Sequence, residues 1–496
     1  CEELRYHMNS NNKHYPDNSL TYARLMQISE RTEYQKKHHF KIGIIVPPSP
    51  FVVPNGWEFV HSAPFEGPSI ISAVLRGLGF EVVVLDQRED FNADSLAGGL
   101  LNSLDLIGIA TYEDSFPYIK RAAEIAKQEE PDRIVILGGP LVTSVPELVM
   151  NNVSADYAVL GEGELTVIEL MDNLINAEES LPVKQIEGLA WKDRDGRVVI
   201  NDHRRQMHNL DVVPVQDLSV WSSIQKTGKT REIYMTSSRG CPGNCSFCFR
   251  PMPALRYKSP ARVKRELKYL KKYGYQFVWW SDLTFIDSKD RIQKLMDEAL
   301  SGLDCRWSCF TRVDGLDLKV LEHMRDKGCD IVMYGFESIT KEILEYFRKK
   351  VTKNQIIKAI TLTREAGLKA GGLFIIGGPG ETVESLQRVE NFCKEFKEVT
   401  RVKYMSAIPG TKLYYDSIKS GLIQDELKHL YFLSRERSAE DDEIINFTDL
   451  PEELLRKTYR EINSRIEIRP YEYWNPANRY LDQPEKFKNR PVIMSS

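Results

Sequence analysis

Three cysteines near the middle of the chain are the side chains best suited to chemistry. Cys241, Cys245 and Cys248 lie in the segment 238–250, where their spacing is Cys-x3-Cys-x2-Cys. Three thiolates on one short loop can hold three irons of a cubic 4Fe–4S cluster, whereas an electron-transfer cluster normally has four thiolates. The spacing therefore predicts a cluster with one iron left open to chelation by a small molecule.

A zinc site or three unrelated thiols are the alternative interpretations of this segment. Zinc knuckles usually need a fourth Cys or His at a matching spacing, and none lies nearby in the sequence. The other internal cysteines are dispersed, and a free cysteine packs as a small apolar residue. We therefore interpret four of them as buried core residues, namely Cys305, Cys309, Cys329 and Cys393.

Length and composition restrict the classes of protein. The 496 residues suffice for about two or three domains. The formal net charge is −4, from 67 basic and 71 acidic side chains, which gives no support for nucleic-acid or anionic-membrane binding. No apolar run approaches the roughly 20 residues that span a bilayer. Eight cysteines do not suggest a disulfide scaffold, so a reducing cytoplasm is the expected compartment.

Upstream of the cysteines, short apolar runs alternate with helical stretches. The predicted strands are 41–46, 81–86, 106–111, 133–138 and 156–160, and helices are predicted over 70–75, 118–129 and 165–174. This order favours a parallel, doubly wound α/β sheet of the Rossmann-like kind, in which ligands bind beyond the carboxyl ends of the strands. A hairpin over 191–200, with Asp195-Gly196 as its turn, is expected after the sheet.

A second alternation begins at about residue 231. Strands are predicted over 233–236, 277–280, 307–310, 331–334, 372–376 and 402–405, with helices over 260–272, 290–300, 319–327, 354–365 and 383–396. Six β–α units favour a partial (β/α)6 barrel, whose chemistry would lie at the carboxyl ends of the strands. The cysteine segment follows the first of these strands, as that rule requires.

The cysteine spacing and the polar segments that follow the later strands resemble the radical S-adenosylmethionine (SAM) superfamily. In that family the amine and carboxylate of SAM occupy the open iron. The resemblance implies that Glu337 contacts the SAM ribose or amino group, and that Asp282 and Arg312 line the SAM and substrate cavity. A structural salt bridge or turn is the alternative for each of these residues. The segment expected to approach the adenosine is Gly377, Gly378, Pro379 and Gly380.

Residues 40–215 resemble the cobalamin-binding domain that precedes many radical SAM barrels. The resemblance implies that loops at the strand ends hold cobalamin, through Thr111, Tyr112, Gly138, Gly139, Gly161, Glu162, Gly163 and Glu164. Histidine-coordinating domains carry Asp-x-His-x-x-Gly after the first strand, and this chain lacks it; the nearest histidine, His61, has no such spacing. The lower axial ligand of cobalt is therefore not expected to be histidine. An empty domain of the same fold is the alternative.

This domain combination is similar to the class B radical SAM methyltransferases. It implies methylation of an unactivated carbon of a small molecule, through methylcobalamin and a 5′-deoxyadenosyl radical, with a reductant such as flavodoxin or ferredoxin. An alternative enzyme would use the same cofactors for cyclisation or ring rearrangement without net methyl transfer. A non-catalytic tetrapyrrole or cofactor carrier is a third interpretation, which the intact cysteine triad disfavours. The sequence does not identify the substrate.

The predicted domain order follows from these segments. An extension, 1–39, precedes the cobalamin-binding domain and linker, 40–215, and the radical SAM barrel, 216–425. Residues 426–496 are predicted to form a mainly helical domain that covers the barrel mouth.

Overall fold

A computed structural model describes residues 40–48, 63–88, 96, 99, 101–176, 178, 180–227, 232–302, 305–435 and 444–467. The predicted N-terminal extension and His61 lie outside the described residues. Within the described ranges, no helix is long and apolar enough to cross a membrane.

The first alternation forms one sheet. Its strands are β1 (Lys41–Val46), β2 (Glu81–Asp86), β3 (Leu106–Ala110), β4 (Ile134–Gly138), β5 (Tyr157–Val159), β6 (Leu189–Lys192) and β7 (Val198–Ile200). The order is β2-β1-β3-β4-β5-β6-β7, and β1 to β5 run parallel. The helices between them are α1 (Glu66–Gly77), α2 (Phe116–Glu129), α3 (Pro140–Ser144), α4 (Pro146–Asn152) and α5 (Glu164–Ile175). The five predicted parallel strands are thereby confirmed.

The hairpin does not simply follow this sheet, as the sequence suggested, but extends it. Strand β6 pairs antiparallel with β5, and β7 pairs antiparallel with β6. Leu189 and Ala190 of β6 are fully buried, so the hairpin has an apolar face that gains free energy by joining the sheet. The sheet is therefore mixed rather than wholly parallel.

The second alternation forms a six-stranded parallel sheet, in the order β15-β14-β13-β12-β11-β8. Its strands are β8 (Glu232–Met235), β11 (Phe277–Trp280), β12 (Arg306–Thr311), β13 (Cys329–Glu337), β14 (Lys369–Ile376) and β15 (Val399–Tyr404). A short antiparallel ribbon, β9 (Ser238–Arg239) with β10 (Arg256–Tyr257), lies between β8 and β11 in the chain. The predicted partial barrel is thereby confirmed.

Helices flank these strands along the chain. They are α6 (Ser222–Thr227), α7 (Pro260–Leu270), α8 (Lys289–Glu298), α9 (Leu318–Asp326), α10 (Lys341–Tyr346), α11 (Lys353–Glu365), α12 (Val383–Glu395) and α13 (Lys412–Lys419). The sequence did not predict α10. The fourth barrel strand was predicted to end at residue 334. A bulge at Gly335 lets β13 continue to pair with β14, so Glu337 is the last residue of the strand rather than part of the following loop.

The described part of the C-terminal region packs on two different surfaces. Helix α14 (Glu426–Leu433) lies against the first sheet's layer, where Leu430 is buried and Ser434 Oγ accepts a hydrogen bond of 3.2 Å from Phe116 N. Helix α15 (Glu452–Glu467) lies beside edge strand β15, where Asn463 hydrogen-bonds both N–H and C=O of Val402. The prediction that this region covers the barrel mouth concerns residues 468–496 as well, which lie outside the described residues.

Candidate active site

The base of the cysteine-bearing segment, residues 240–250 (the cysteine loop below), is a tight backbone crossing. Gly240 has φ +89, and a Cβ at this position would lie 2.1 Å from the Ala254 carbonyl oxygen. Only glycine fits both the left-handed conformation and this approach. Just outside the crossing, the backbones of Arg256 and Arg239 lie opposite each other in the antiparallel β9–β10 ribbon. This ribbon closes the loop.

The far side of the cysteine loop is held by the segment that follows α10. Ser246 N donates to Phe347 O at 3.1 Å, and Ser246 Oγ donates to Tyr346 O at 2.9 Å. Leu413 N in α13 donates to Ser246 O at 2.9 Å, and the rings of Phe247 and Phe347 lie 5.1 Å apart. The thiols are thus presented by backbone that is fixed at both ends, as a site of defined geometry requires.

The three thiols face a common space. A methyl group placed on Gly243 would lie 3.4 Å from Cys241 Sγ, 3.9 Å from Cys245 Sγ and 3.7 Å from Arg312 Nη1. Desolvation, and after it the negative charges of Cys245 and Cys241, raises the pKa of the Cys248 thiol to about 11. Three thiolates this close repel one another unless bound cations compensate them.

These thiols are not arranged around a single ion. In the part of the chain that the structure describes, no group of three His, Cys, Asp or Glu side chains has the geometry to hold one metal ion. In a cubic cluster each thiolate binds its own iron, so the sulfurs must stand farther apart than the ligands of one zinc.

Two of the predicted SAM contacts lie beside the cysteine loop. Glu337, at the end of β13, accepts a 2.8 Å hydrogen bond from Lys349 Nζ, and Arg312 forms a 2.8 Å ion pair with Asp314. Partial burial raises the pKa of the Cys245 thiol; the cations of Lys349 and Arg312 lower it, and Glu337 raises it. The structure thus brings Glu337 and Arg312 within electrostatic reach of the thiols.

The carboxylate of Asp282 holds the segment that leads into the cysteine loop. Its carboxylate accepts hydrogen bonds from Ser237 N at 3.2 and 3.0 Å, from Ser237 Oγ at 2.8 Å and from Ser238 Oγ. The side chain is 2% exposed. Because Ser237 and Ser238 lead directly into the cysteine loop, Asp282 fixes the start of that loop. These hydrogen bonds are what the alternative interpretation predicts, in which Asp282 has a structural role rather than a contact with SAM.

The segment Gly377–Gly380 turns between β14 and α12. Gly378 packs against the Phe347 ring, while the space beside Gly380 is open. Thr382 begins α12 with a capping box that includes Ser385. Buried Glu381 accepts hydrogen bonds from Gly377 N at 3.2 Å and from Ser385 Oγ, so it ties the two ends of the turn together.

The burial of Glu381 predicts that the stability of the protein depends on pH. Burial raises the pKa of Glu381 to about 7, although its hydrogen bonds lower it. A folded-state pKa above that of the unfolded chain contributes stability that is full at low pH and is lost as pH rises through 7. Between pH 5 and 8, the wild-type protein should lose about 2 kcal/mol of unfolding free energy relative to Glu381→Gln. Thermal unfolding across this range measures the difference, with exposed Glu384→Gln as control; parallel curves would contradict the prediction.

A cavity of about 530 Å³ lies where the two sheets face each other. Its first wall is formed by residues of β1, β3, β4 and β5 with one face of α1 and of α5, and includes Tyr112, Gly138, Gly139 and the segment 161–164. Its second wall is formed by Ser238, Arg239, Gly240, Pro251, Met252, Ser281 and Leu283. The Met252 methyl lies 2.4 Å from where a Cβ on Gly161 would sit, so the two walls touch there.

The predicted cofactor residues of the first sheet divide into lining and supporting roles. Tyr112 lines the cavity, and burial raises its pKa. Thr111 is fully buried; its backbone N–H donates to Gly138 O at 2.7 Å, and its side chain accepts from Val142 N at 3.2 Å. Thr111 therefore supports the Gly138-Gly139 turn from behind rather than facing the cavity.

Glu162 and Glu164 are engaged across the two walls. Arg256 Nη2 and Arg239 Nη1 pair with Glu162 Oε1 at 2.8 and 3.2 Å, and Arg239 Nη2 pairs with Glu164 at 2.6 Å. Burial acts to raise the pKa of Glu162, but the Arg256 hydrogen bond and the charges of both arginines lower it overall. A fourth pair joins Lys258 to Glu66 of α1 at 3.0 Å. These carboxylates bind the base of the cysteine loop to the first sheet.

Residues 66–171 match the B12 binding domain, and residues 235–393 match the Radical SAM superfamily. An uncharacterized methyltransferase of Pyrococcus horikoshii is 34% identical over 328 residues, which cover 64% of this chain and 70% of that protein. The chain belongs to the radical SAM superfamily. Another relative is the anaerobic magnesium-protoporphyrin IX monomethyl ester cyclase of Rubrivivax gelatinosus, 24% identical over 363 residues, 70% of this chain and 65% of that protein.

Solved radical SAM structures share both halves of the fold. The radical SAM methyltransferase TsrM from Kitasatospora setae, with cobalamin and a [4Fe-4S] cluster bound, is 18% identical, with a TM-score of 0.62 over 86% of this chain and 82% of that chain. The cobalamin-dependent radical enzyme OxsB, with aqua-cobalamin and SAM bound, has a TM-score of 0.61 at 18% identity. That match covers 80% of this chain and 57% of OxsB, so this chain spans little more than half of OxsB.

The cofactors of this radical SAM protein are therefore a 4Fe–4S cluster, SAM and cobalamin, and the described residues fit them. The converging thiols of the cysteine loop suit three irons. The cavity beyond the first sheet suits a large ligand, because a side chain at Gly138 would meet open space. None of the described residues that line the cavity is a histidine, and His61 lies outside the described residues.

Apart from Arg312, sequence reasoning missed the cations of this site. Arg239, Arg256, Lys258 and Lys349 each pair with a buried carboxylate. Lys349 lies in the basic run 348–350, which resembles an ordinary solvated turn. The position of Arg239 beside Gly240 was the one available signal, since residues next to a cofactor loop often position it.

Proposed function

We propose that this protein is a cobalamin-dependent radical SAM enzyme that methylates a carbon of a small molecule. The observation that carries the proposal is the shared cavity, whose first wall holds the cobalamin-domain loops and whose second wall begins the cysteine loop at Ser238–Gly240. A cavity that reaches from the first sheet to the start of the cysteine loop would let cofactors at both places act on one substrate. The name of the 34%-identical relative, a methyltransferase, supports methyl transfer over other outcomes.

When bound, the cluster supplies the electron that cleaves SAM, and cobalamin supplies a methyl carrier. Cys241, Cys245 and Cys248 would hold three irons, and Glu337 would accept from a cationic or hydroxyl group of SAM. Arg312, with its guanidinium beside the loop, would pair the SAM carboxylate. Gly138 and Gly139 would let the cobalamin tail pass close to the backbone, with the 161–164 loop alongside.

The substrate would enter from the barrel mouth. Leu283 and Phe310, at the carboxyl ends of β11 and β12, are 56% and 40% exposed, although both are large apolar side chains. Leu283 also lines the shared cavity. These side chains would exclude water from the reacting carbon. We also propose a flavodoxin or ferredoxin as electron donor, because reductive cleavage of SAM needs a low-potential one-electron source.

Ring formation without net methyl transfer is the second candidate. The resemblance to a porphyrin ester cyclase of 24% identity over 70% of this chain supports it. The same cavity and cysteine loop would serve either reaction, so the products must decide. The carrier interpretation is disfavoured, because a carrier would not need three thiols on a loop whose first residue, Gly240, lines the cavity.

Product stoichiometry with methyl-labelled SAM tests the proposal. Reconstituted enzyme, supplied with cobalamin, a one-electron reductant and a small-molecule extract of the producing cells, should form S-adenosylhomocysteine and 5′-deoxyadenosine together. The label should appear in a new product. Deoxyadenosine without S-adenosylhomocysteine would favour cyclisation or rearrangement, and neither compound would favour a carrier. Enzyme without the extract is the matched control.

A further inference from the structure

Strained backbone in this protein is concentrated beside the cysteine loop. Within the described ranges, the non-glycine residues with left-handed φ are Glu337 (φ 63), Arg348 (φ 54) and Lys350 (φ 54). A left-handed conformation costs an L-residue about 1–2 kcal/mol, so it persists only where surrounding contacts demand it. Two of these residues flank Lys349, and the third is its ion-pair partner.

The turn that carries Lys349 is fixed by its own backbone. Lys349 N donates to Leu344 O at 3.0 Å as α10 ends, and Arg348 takes the conformation that glycine usually adopts at this position. Lys349 O accepts from Arg312 Nη2 at 2.9 Å, and Phe347 O accepts from Ser246 N in the cysteine loop. The backbone of this turn thus holds the loop, and the Lys349 side chain is left for another role.

The Lys349 side chain forms an ion pair with Glu337. The ion pair is 2.8 Å long, and its side chains are only 9% and 12% exposed. A Cβ on Gly335 would lie 2.3 Å from Glu337 Oε1 and 2.7 Å from Lys349 Nζ, so the pair occupies the space that this glycine leaves. Among the described residues, Glu337 Oε2 has no hydrogen-bond donor, which leaves one oxygen available to a ligand.

We propose that Lys349 is a positioning residue for SAM, which holds Glu337 Oε1 so that Oε2 can accept from the ligand beside the cysteine loop. The inference rests on the proposed use of SAM at this loop. Without the Lys349 ammonium, Glu337 would be an unpaired and nearly buried carboxylate close to the thiols of Cys245 and Cys248. It would rotate away from its present position, because an isolated buried anion is costly.

The test compares Lys349→Met with Lys350→Met in the full, anaerobically reconstituted chain. Lys350 is exposed and lies next to Lys349 in the same turn. Its substitution therefore controls for the loss of a lysine at this turn. Iron content, the dissociation constant for SAM, and the change that SAM causes in the electron paramagnetic resonance spectrum of the reduced cluster are measured for each. None of these readouts requires cobalamin or substrate.

Lys349→Met should keep its iron and bind SAM at least about tenfold more weakly, since losing one partner of a buried hydrogen-bonded charge pair is costly. Its spectrum should not change at SAM concentrations that saturate the wild type. Lys350→Met should behave as wild type, and Lys349→Arg should recover most of the affinity.

Two results would overturn the assignment. Lys349→Met that binds SAM as tightly as wild type would show that the ion pair does not position the ligand, and loss of iron from that variant would show a structural role instead. Wild-type protein that binds SAM but transfers no methyl group would contradict the proposed function and leave this assignment standing.

Discussion

Cys245→Ala is expected to abolish both the iron–sulfur cluster and SAM cleavage. Cys245 lies centrally in the loop: its sulfur and that of Cys241 both lie within 4 Å of one point beside Gly243, and Cys248 N donates to Cys245 O at 3.3 Å. With two protein thiolates left, a cubic cluster would expose two irons to solvent and dissociate. Wild-type protein should carry about four irons per chain after anaerobic reconstitution, and the variant close to none.

The matched control for this experiment is Cys393→Ala. Cys393 lies in α12, 7% exposed, and has the role of a small apolar core residue. It should keep full iron content and form 5′-deoxyadenosine at the wild-type rate. Full cluster content in Cys245→Ala would contradict the assignment of this thiol as a ligand.

The fold was largely predictable, because buried parallel strands produce apolar runs that a sequence reports directly. All five parallel strands of the first sheet and all six of the barrel lie where such runs predicted them. The burial of Cys305, Cys309, Cys329 and Cys393 is likewise confirmed. The hairpin predicted over 191–200 is present, formed by β6 and β7. That it extends the sheet was not predicted, because pairing with β5 depends on a tertiary edge, which local patterning does not reveal.

The parts of the site formed by residues close together in the sequence were predictable. The ion pairs between residues distant in sequence were less so. The cysteine spacing needs only eight consecutive residues, whereas Lys349 meets Glu337 across a turn and Arg256 meets Glu162 across 94 residues. Glu162 and Glu164 were expected to hold cobalamin, and both line the cavity. Their carboxylates, however, are bound to arginines, which no feature of the Gly-x-Gly pattern indicates.

Those arginine pairs connect the two cofactor sites. Arg239 and Arg256 form the ribbon that closes the cysteine loop, and both pair with Glu162 on the cobalamin side. Partly buried charge pairs keep their geometry strictly, because each ion loses hydration that only its partner replaces. The cysteine loop and the 161–164 loop are therefore held in one fixed relation, as two cofactors that act on one substrate require.

Gly138→Leu is expected to eliminate cobalamin binding and to leave the cluster intact. Gly138 is the last residue of β4, lines the shared cavity, and would place a Cβ with no atom within 4 Å. A leucine can therefore be added without a clash in the protein, but it fills the space that a cofactor tail would use. No described atom of the cysteine loop lies within 4 Å of a Cβ placed on Gly138, so iron content should remain at the wild-type level.

The absorbance of protein loaded with hydroxocobalamin measures this effect. Wild type should retain cobalamin with a spectrum that lacks histidine coordination, Gly138→Ala should retain part of it, and Gly138→Leu should retain almost none. Equal iron content in all three proteins is the control for folding. A leucine variant that binds cobalamin like wild type would place the cofactor tail away from Gly138, and a wild type that takes up none would favour the empty-domain alternative. Because a blocked cavity and an intact cluster are measured on the same sample, the result separates the two cofactor sites without knowledge of the substrate.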